Sequence, residues 1–106
     1  MTPKTTQVLK DLRARLERIY GDRLVKLVLY GSRARGDADA ESDIDVLVVL
    51  RGQVALYDEI QRTSEDMADL LLEWGELVSC VFLSEEDYLR QRSPLMLNVR
   101  REGVGI

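Results

Sequence analysis

Residues 27–50 constrain this chain more than any other stretch. An apolar run, Leu27-Val28-Leu29-Tyr30, leads into Gly31-Ser32, and ten residues later Asp43-Ile44-Asp45 opens a second apolar run that ends at Leu50. Residues 25–30 and 44–50 are rich in Val, Ile and Leu and too short for typical helices, so both are predicted as buried strands. Side chains alternate along a strand, which puts Asp43 and Asp45 on one face with Cα atoms about 6.5–7 Å apart. Like charges so placed repel each other and need a compensating partner. A hard cation supplies it, because Mg²⁺ takes one or two carboxylates and completes its shell with water and phosphate oxygens.

Gly31 carries a different requirement. Without a Cβ it can take a positive φ and let a ligand approach the backbone closely. Ser32 then starts a short helical turn through Arg33, Ala34 and Arg35 that Gly36 ends. N–H groups at such a turn attract anions, and the serine hydroxyl adds a donor. The guanidinium forks of Arg33 and Arg35 match phosphate oxygens. Each feature alone has a plainer reading. Gly-Ser after a strand is a common turn, Asp-x-Asp can solvate a loop or cap a helix, and the two arginines can balance Asp37, Asp39 and Glu41. Their order between two strands is what makes the set specific.

Gly31-Ser32, ten intervening residues and Asp43-Ile44-Asp45 resemble the signature of the nucleotidyltransferase superfamily related to DNA polymerase beta. The extended form, Leu29-Tyr30-Gly31-Ser32-Arg33-Ala34-Arg35-Gly36 through Ser42-Asp43-Ile44-Asp45, is similar to the minimal nucleotidyltransferases, the MNT family. The resemblance is densest over residues 27–50. It implies a polymerase beta-like core, ATP as substrate, Mg²⁺ held by Asp43 and Asp45 as catalytic carboxylates, and room for a two-metal arrangement. It also implies a helical HEPN-domain protein as partner, with this chain as antitoxin to its toxin.

At 106 residues the chain is expected to form one domain, 1–106, large enough to bury a core. A net charge of −4 and a pI near 4.8 argue against nonspecific nucleic-acid binding, which calls for a basic face. No apolar run approaches the ~20 residues of a membrane span, and the N-terminus shows no signal-peptide pattern. Cys80 is the sole cysteine and histidine is absent, which removes an internal disulfide and argues against zinc. A cytoplasmic protein is expected, and a homo-oligomer is left open.

Helices are predicted over residues 3–20, 54–74, 85–92 and 95–102. Thr2 caps the first, Pro3 suits its first turn, and Gly21 stops it. Val8, Leu9, Leu12, Leu16, Ile19 and Tyr20 form its apolar face, while Lys10, Arg13, Arg15 and Arg18, with Asp11 and Glu17, read as a solvated face. In the second helix, Leu56, Tyr57, Ile60, Met67, Leu70 and Leu71 are the expected apolar face, with a solvated acidic remainder, and Gly75 ends it. Residues 77–83 follow as a third strand. Ser84 and Ser93-Pro94 cap the last two helices. Arg90, Arg92, Arg100 and Arg101 form a basic cluster that suits either solvation or a partner or phosphate contact. The whole reads as an α/β (α+β) fold: a small mixed sheet of about three to four strands with helices packed on it.

One departure from the resembled pattern bears on chemistry. Active relatives carry a third carboxylate on the strand after the long helix, where this chain has Leu77-Val78-Ser79-Cys80-Val81-Phe82-Leu83. Ser79 falls at the equivalent position, and Glu76 is the nearest acid that could approach a metal. A third acid helps place a second metal and deprotonate the incoming hydroxyl, so its loss weakens chemistry more than binding. Two functions therefore stand side by side. One is AMP transfer from Mg-ATP to a hydroxyl of a HEPN-like toxin. The other is a catalytically weak nucleotide-binding module that neutralises such a partner by complex formation. A small-molecule nucleotidyltransferase is a third, though such enzymes generally carry an added substrate domain.

Overall fold

The computed structural model describes residues 2–36 and 43–106. Ser42 and the loop acids Asp37, Asp39 and Glu41 lie outside the described residues. The chain begins with helix α1 (Pro3–Tyr20), whose first turn is capped by the Thr2 hydroxyl accepting from the Thr5 N–H. A 3₁₀ turn at Gly21–Arg23 leads into strand β1 (Leu24–Tyr30), and the four-residue helix α2 (Ser32–Arg35) follows Gly31. Then come β2 (Ile44–Leu50), α3 (Leu56–Trp74), β3 (Val78–Ser84), α4 (Glu85–Arg90), α5 (Pro94–Glu102) and β4 (Val104–Gly105). The serine caps at Ser84 and Ser93 form as expected, accepting from the N–H groups of Asp87 and Met96.

The sheet runs β3-β2-β1-β4. β1 is antiparallel to β2 and to β4, whereas β3 lies parallel to β2. A parallel neighbour needs a crossover rather than a hairpin, and α3 supplies it. Helices cover both faces. Leu27, Leu29, Val46 and Val48 belong to one core with Leu12 and Leu16 of α1 and Leu70 of α3. Val28, Leu47 and Val49 face the other way, against Met96 and Val99 of α5. This explains why β2 is apolar without alternation: it is central and buried on both sides. Each fully buried leucine contributes about 1.5–3 kcal/mol.

The structure corrects two readings of the helices. In α3 only Leu70 of the expected apolar face is fully buried, and Leu56, Tyr57, Ile60 and Leu71 are exposed. Glu59 and Thr63 are buried instead, because Glu59 has partners there. Its carboxylate accepts from the Tyr20 hydroxyl at 3.1 Å and pairs with Arg62, and the Thr63 hydroxyl bonds the Glu59 carbonyl at 2.9 Å. On α1, Arg15 is not solvated. Its side chain is 13% exposed and bridges Asp11 to Asp66, Asp69 and Glu73 of α3. Arg18 joins it on Asp66, so part of the acidic run of α3 is the counter-surface of α1.

The C-terminal arginines are occupied locally. Arg90 pairs with Glu86, Arg92 donates to the carbonyls of Arg90 and Gln91, and Arg101 bonds Asn98. Arg100 lies over the Tyr88 ring and donates to the Tyr88 carbonyl. No helix among the described residues is long and apolar enough to cross a membrane.

Candidate active site

The site forms where β1 ends beside the start of β2. Tyr30 is the register partner of Asp45, so the turn at Gly31 is held directly against the carboxylate strand. Gly31 has φ 78° and ψ −160°, a combination essentially reserved for glycine. A Cβ placed there would stand 2.6 Å from Asp45 Oδ2. The glycine therefore serves two ends at once, a backbone turn and contact with a carboxylate. Downstream, the Ala34 and Arg35 N–H groups bond the Gly31 carbonyl and the Gly36 N–H bonds the Ser32 carbonyl, closing α2 as a tight turn. Gly36 takes the left-handed conformation at its end, with φ 83°.

Asp45 shares strand parity with Leu47 and Val49, so it projects on the α5 side of the sheet. Asp43, two residues earlier, is exposed just ahead of the strand, close enough for its charge to act on Asp45. Burial first, and the Asp43 charge second, push the Asp45 carboxyl above its ordinary range. Among the described residues no lysine or arginine pairs with either carboxylate, and no third acid joins them in a metal-binding group. A half-buried carboxylate beside a like charge is the environment that a divalent cation relieves. The donor set fits Mg²⁺ with two protein oxygens, leaving the remainder to water and substrate phosphate.

Ser79 is the register partner of Asp45 on β3, and it is exposed. The strand position facing the carboxylates thus carries a hydroxyl rather than an acid. β3 is a sheet edge, and a groove of about 320 Å³ between it and α3 runs up to Ser79, lined also by Ile60, Thr63, Met67 and Phe82. Cys80 lies on the α3 side with its Sγ 3.9 Å from Met67 Sδ, and burial pushes its thiol up to about 12, which keeps it inert. A larger concavity of about 530 Å³ sits at the far end of β2, lined by Gly52, Gln53, Val54, Ser84, Glu85, Glu86 and Asp87. Its three acids repel phosphate, and it lies about a strand's length from Asp43.

The expected site residues divide into two groups. Gly31 and Asp45 come together, with Ser32 and Asp43 next to them in the chain, and Arg35 joins Gly31 through Glu102, its guanidinium at 3.0 and 3.1 Å from that carboxylate. Arg33 and Glu76 are drawn elsewhere. Arg33 donates to Glu76 at 2.8 Å and to the Thr5 hydroxyl at 3.0 Å, and Lys4 flanks the same carboxylate at 3.5 Å. Both side chains of the Arg33–Glu76 pair are nearly buried, at 10% and 13% exposure. Glu76 thus neutralises an arginine of the loop rather than standing beside the aspartates as a third ligand. Two neighbours escaped the sequence reading. Tyr30 was signalled only by its place just before Gly31; the register sets it opposite Asp45, and its hydroxyl is pushed up by burial first and then by Asp45. Glu102, on α5, had no local signal at all.

The Nucleotidyltransferase domain family matches residues 9–95. The candidate protein adenylyltransferase MJ0604 of Methanocaldococcus jannaschii is 36% identical over 80 residues, 76% of this chain and 74% of that protein. MJ0141 of the same organism, also described as a candidate protein adenylyltransferase, is 36% identical over 53 residues; the match spans 50% of this chain and 54% of that protein. Among solved structures, a nucleotidyltransferase described for Sulfolobus solfataricus superposes with TM-score 0.61 at 24% identity, covering 96% of this chain and 81% of that one. A toxin-antitoxin with AMP-PNP superposes with TM-score 0.65 at 19% identity, covering 91% and 69%. These two share the fold. The match across most of the chain shows that the chain belongs to the nucleotidyltransferase domain family and fits its minimal, MNT-type members.

Proposed function

We propose that this chain transfers AMP from ATP to a hydroxyl of a partner protein, and that the partner is a HEPN-like toxin it silences in the cytoplasm. The observation that carries the reading is the seating of Gly31 against Asp45, with the Asp43 charge acting on the same carboxyl. That contact puts a backbone able to meet phosphate directly beside carboxylates able to hold a metal. Asp43 and Asp45 would hold Mg²⁺, which supplies charge neutralisation at the phosphates when bound. Gly31, the Ser32 hydroxyl and Arg35 would orient the triphosphate. The acceptor oxygen forms a bond to the α-phosphorus, the α–β bridging bond breaks, pyrophosphate leaves, and the acceptor proton passes to solvent on the exposed Ser79 side. The protein's part in such chemistry is positioning and electrostatics.

Support for a protein acceptor comes from the relatives described as candidate protein adenylyltransferases and from the toxin–antitoxin neighbours. The second reading, a module that binds and neutralises without transfer, is favoured by Ser79 standing where a third acid would help remove the acceptor proton. One experiment separates them. The intact mass of the co-expressed partner is measured after incubation with this chain, ATP and Mg²⁺, with the Asp43→Ala, Asp45→Ala double variant as control. A gain in whole AMP units, absent with the variant, establishes the enzyme. A stable complex of two unmodified proteins establishes the binding module.

A further inference from the structure

The geometry points to Glu102 as a built-in competitor for the phosphate seat: its carboxylate takes the donors that a bound triphosphate needs, so it sets nucleotide affinity and couples occupancy to the C-terminal segment. This rests on the nucleotide-site reading above. Glu102 Oε1 accepts from the Gly31 N–H at 3.3 Å, and Arg35 Nη1 reaches Oε1 and Oε2 at 3.1 and 3.0 Å. These contacts bridge 71 and 67 residues of sequence, so the carboxylate is brought to the loop by the fold.

Its placement is firm. Glu102 ends α5, which is anchored through buried Met96 and Val99 on the same sheet face as Asp45. Gly103 then packs so closely that a Cβ there would meet the Val99 carbonyl oxygen at 2.3 Å and Val28 Cγ1 at 2.6 Å. β4 follows immediately, pairing Val104 with Leu29 and Gly105 with Val28. The carboxylate is thus pinned between a helix end and an edge strand.

The two loop arginines differ in a way that gives Glu102 its role. Arg33–Glu76 is nearly buried on both sides, at 10% and 13% exposure. The carboxylates are alike, Glu102 being 16% exposed, but Arg35 is 46% exposed, so that pair is reachable from solvent through its arginine. An exposed pair is weak and exchangeable, whereas separating a buried one strands a charge. An incoming triphosphate, richer in charge and acceptor oxygens than one carboxylate, takes Arg35 and the Gly31 N–H while Arg33 stays with Glu76. Released from the loop, Glu102 no longer ties the end of α5 to it, and residues 100–106 loosen.

Glu102→Gln is the test, because the amide keeps the shape and a carbonyl acceptor but removes the competing charge. Mg-ATP affinity is measured by calorimetry for the wild type, Glu102→Gln, and the Asp43→Ala, Asp45→Ala control. Glu102→Gln should bind about two- to fivefold more tightly, the exchange of one solvent-reachable charge pair. Hydrogen exchange at residues 100–106 of the wild type should rise when Mg-ATP is added, a response that a merely structural glutamate would not give. Equal or weaker binding by Glu102→Gln, with wild-type binding still dependent on Asp43 and Asp45, overturns the competitor and leaves the nucleotide site standing. A wild type that binds no Mg-ATP overturns both. Should Glu102→Gln fail to fold, the wild-type exchange decides: unchanged or slowed exchange at 100–106 defeats the proposal.

Discussion

Gly31→Ala probes the contact on which the site depends. Two costs add. The backbone at φ 78°, ψ −160° belongs to a region in which a side chain costs about 1–3 kcal/mol. The new Cβ would also stand 2.6 Å from Asp45 Oδ2, the far end of a flexible side chain, and rotating that carboxylate aside costs about 0.5–1.5 kcal/mol more. Together they remove about 1.5–4.5 kcal/mol from a domain whose total stability is about 5–15 kcal/mol. At a urea m-value of about 2 kcal/mol/M, the midpoint falls by about 0.8–2 M. The two parts separate in a double-mutant cycle with Asp45→Ala. That background removes the overlapping atom and leaves only the backbone cost, so the coupling should be about 0.5–1.5 kcal/mol. Equal losses in both backgrounds would refute the contact with Asp45. A midpoint shift below about 0.3 M would refute the backbone argument as well.

Further expectations follow from the same geometry. Asp45→Asn should raise the melting temperature of the free protein while abolishing Mg-ATP binding. Burial and Asp43 hold the folded carboxyl above its ordinary 3.8, so the folded state keeps its proton longer than the unfolded state, and ionisation above that pH weakens the fold. The stability gained by Asn should therefore vanish below about pH 4 and grow as pH rises; melts across pH with no such trend would contradict it. Ser79→Asp puts an acid opposite Asp45 and should raise AMP transfer tenfold or more, given the ~10²–10⁴-fold that positioned acid–base groups contribute; an unchanged rate in the mass assay would show that proton removal is not limiting. Arg15→Ala leaves Asp11, Asp66, Asp69 and Glu73 without their shared cation and should lower stability by about 1–3 kcal/mol in urea titration, with Mg-ATP affinity unaltered.

What could be read in the sequence is what short-range physics determines. Val, Ile and Leu runs of strand length, a glycine where the chain must turn with positive φ, and serine caps all act within a few residues. So β1, β2, α1, α2 and the caps of α4 and α5 fall where expected. Asp43 and Asp45 are near one another because they stand two positions apart at the entrance of a strand. The tertiary structure decided everything that needed a distant partner. Which side of α3 turned inward depended on Tyr20 waiting for Glu59, and a count of apolar residues could not reveal that a glutamate would be buried ahead of Leu56 or Ile60. The solvated reading of Arg15 failed for the same reason, since its acids lie 51–58 residues away on another helix. β4 is two residues long and exists only because β1 offers an edge. Arg33 and Arg35 look equivalent in Ser32-Arg33-Ala34-Arg35, yet folding leaves Arg33 only 10% exposed on Glu76 and Arg35 46% exposed on Glu102. Side chains of one type two positions apart are sorted by what the fold brings to each, and that sorting is long-range electrostatics.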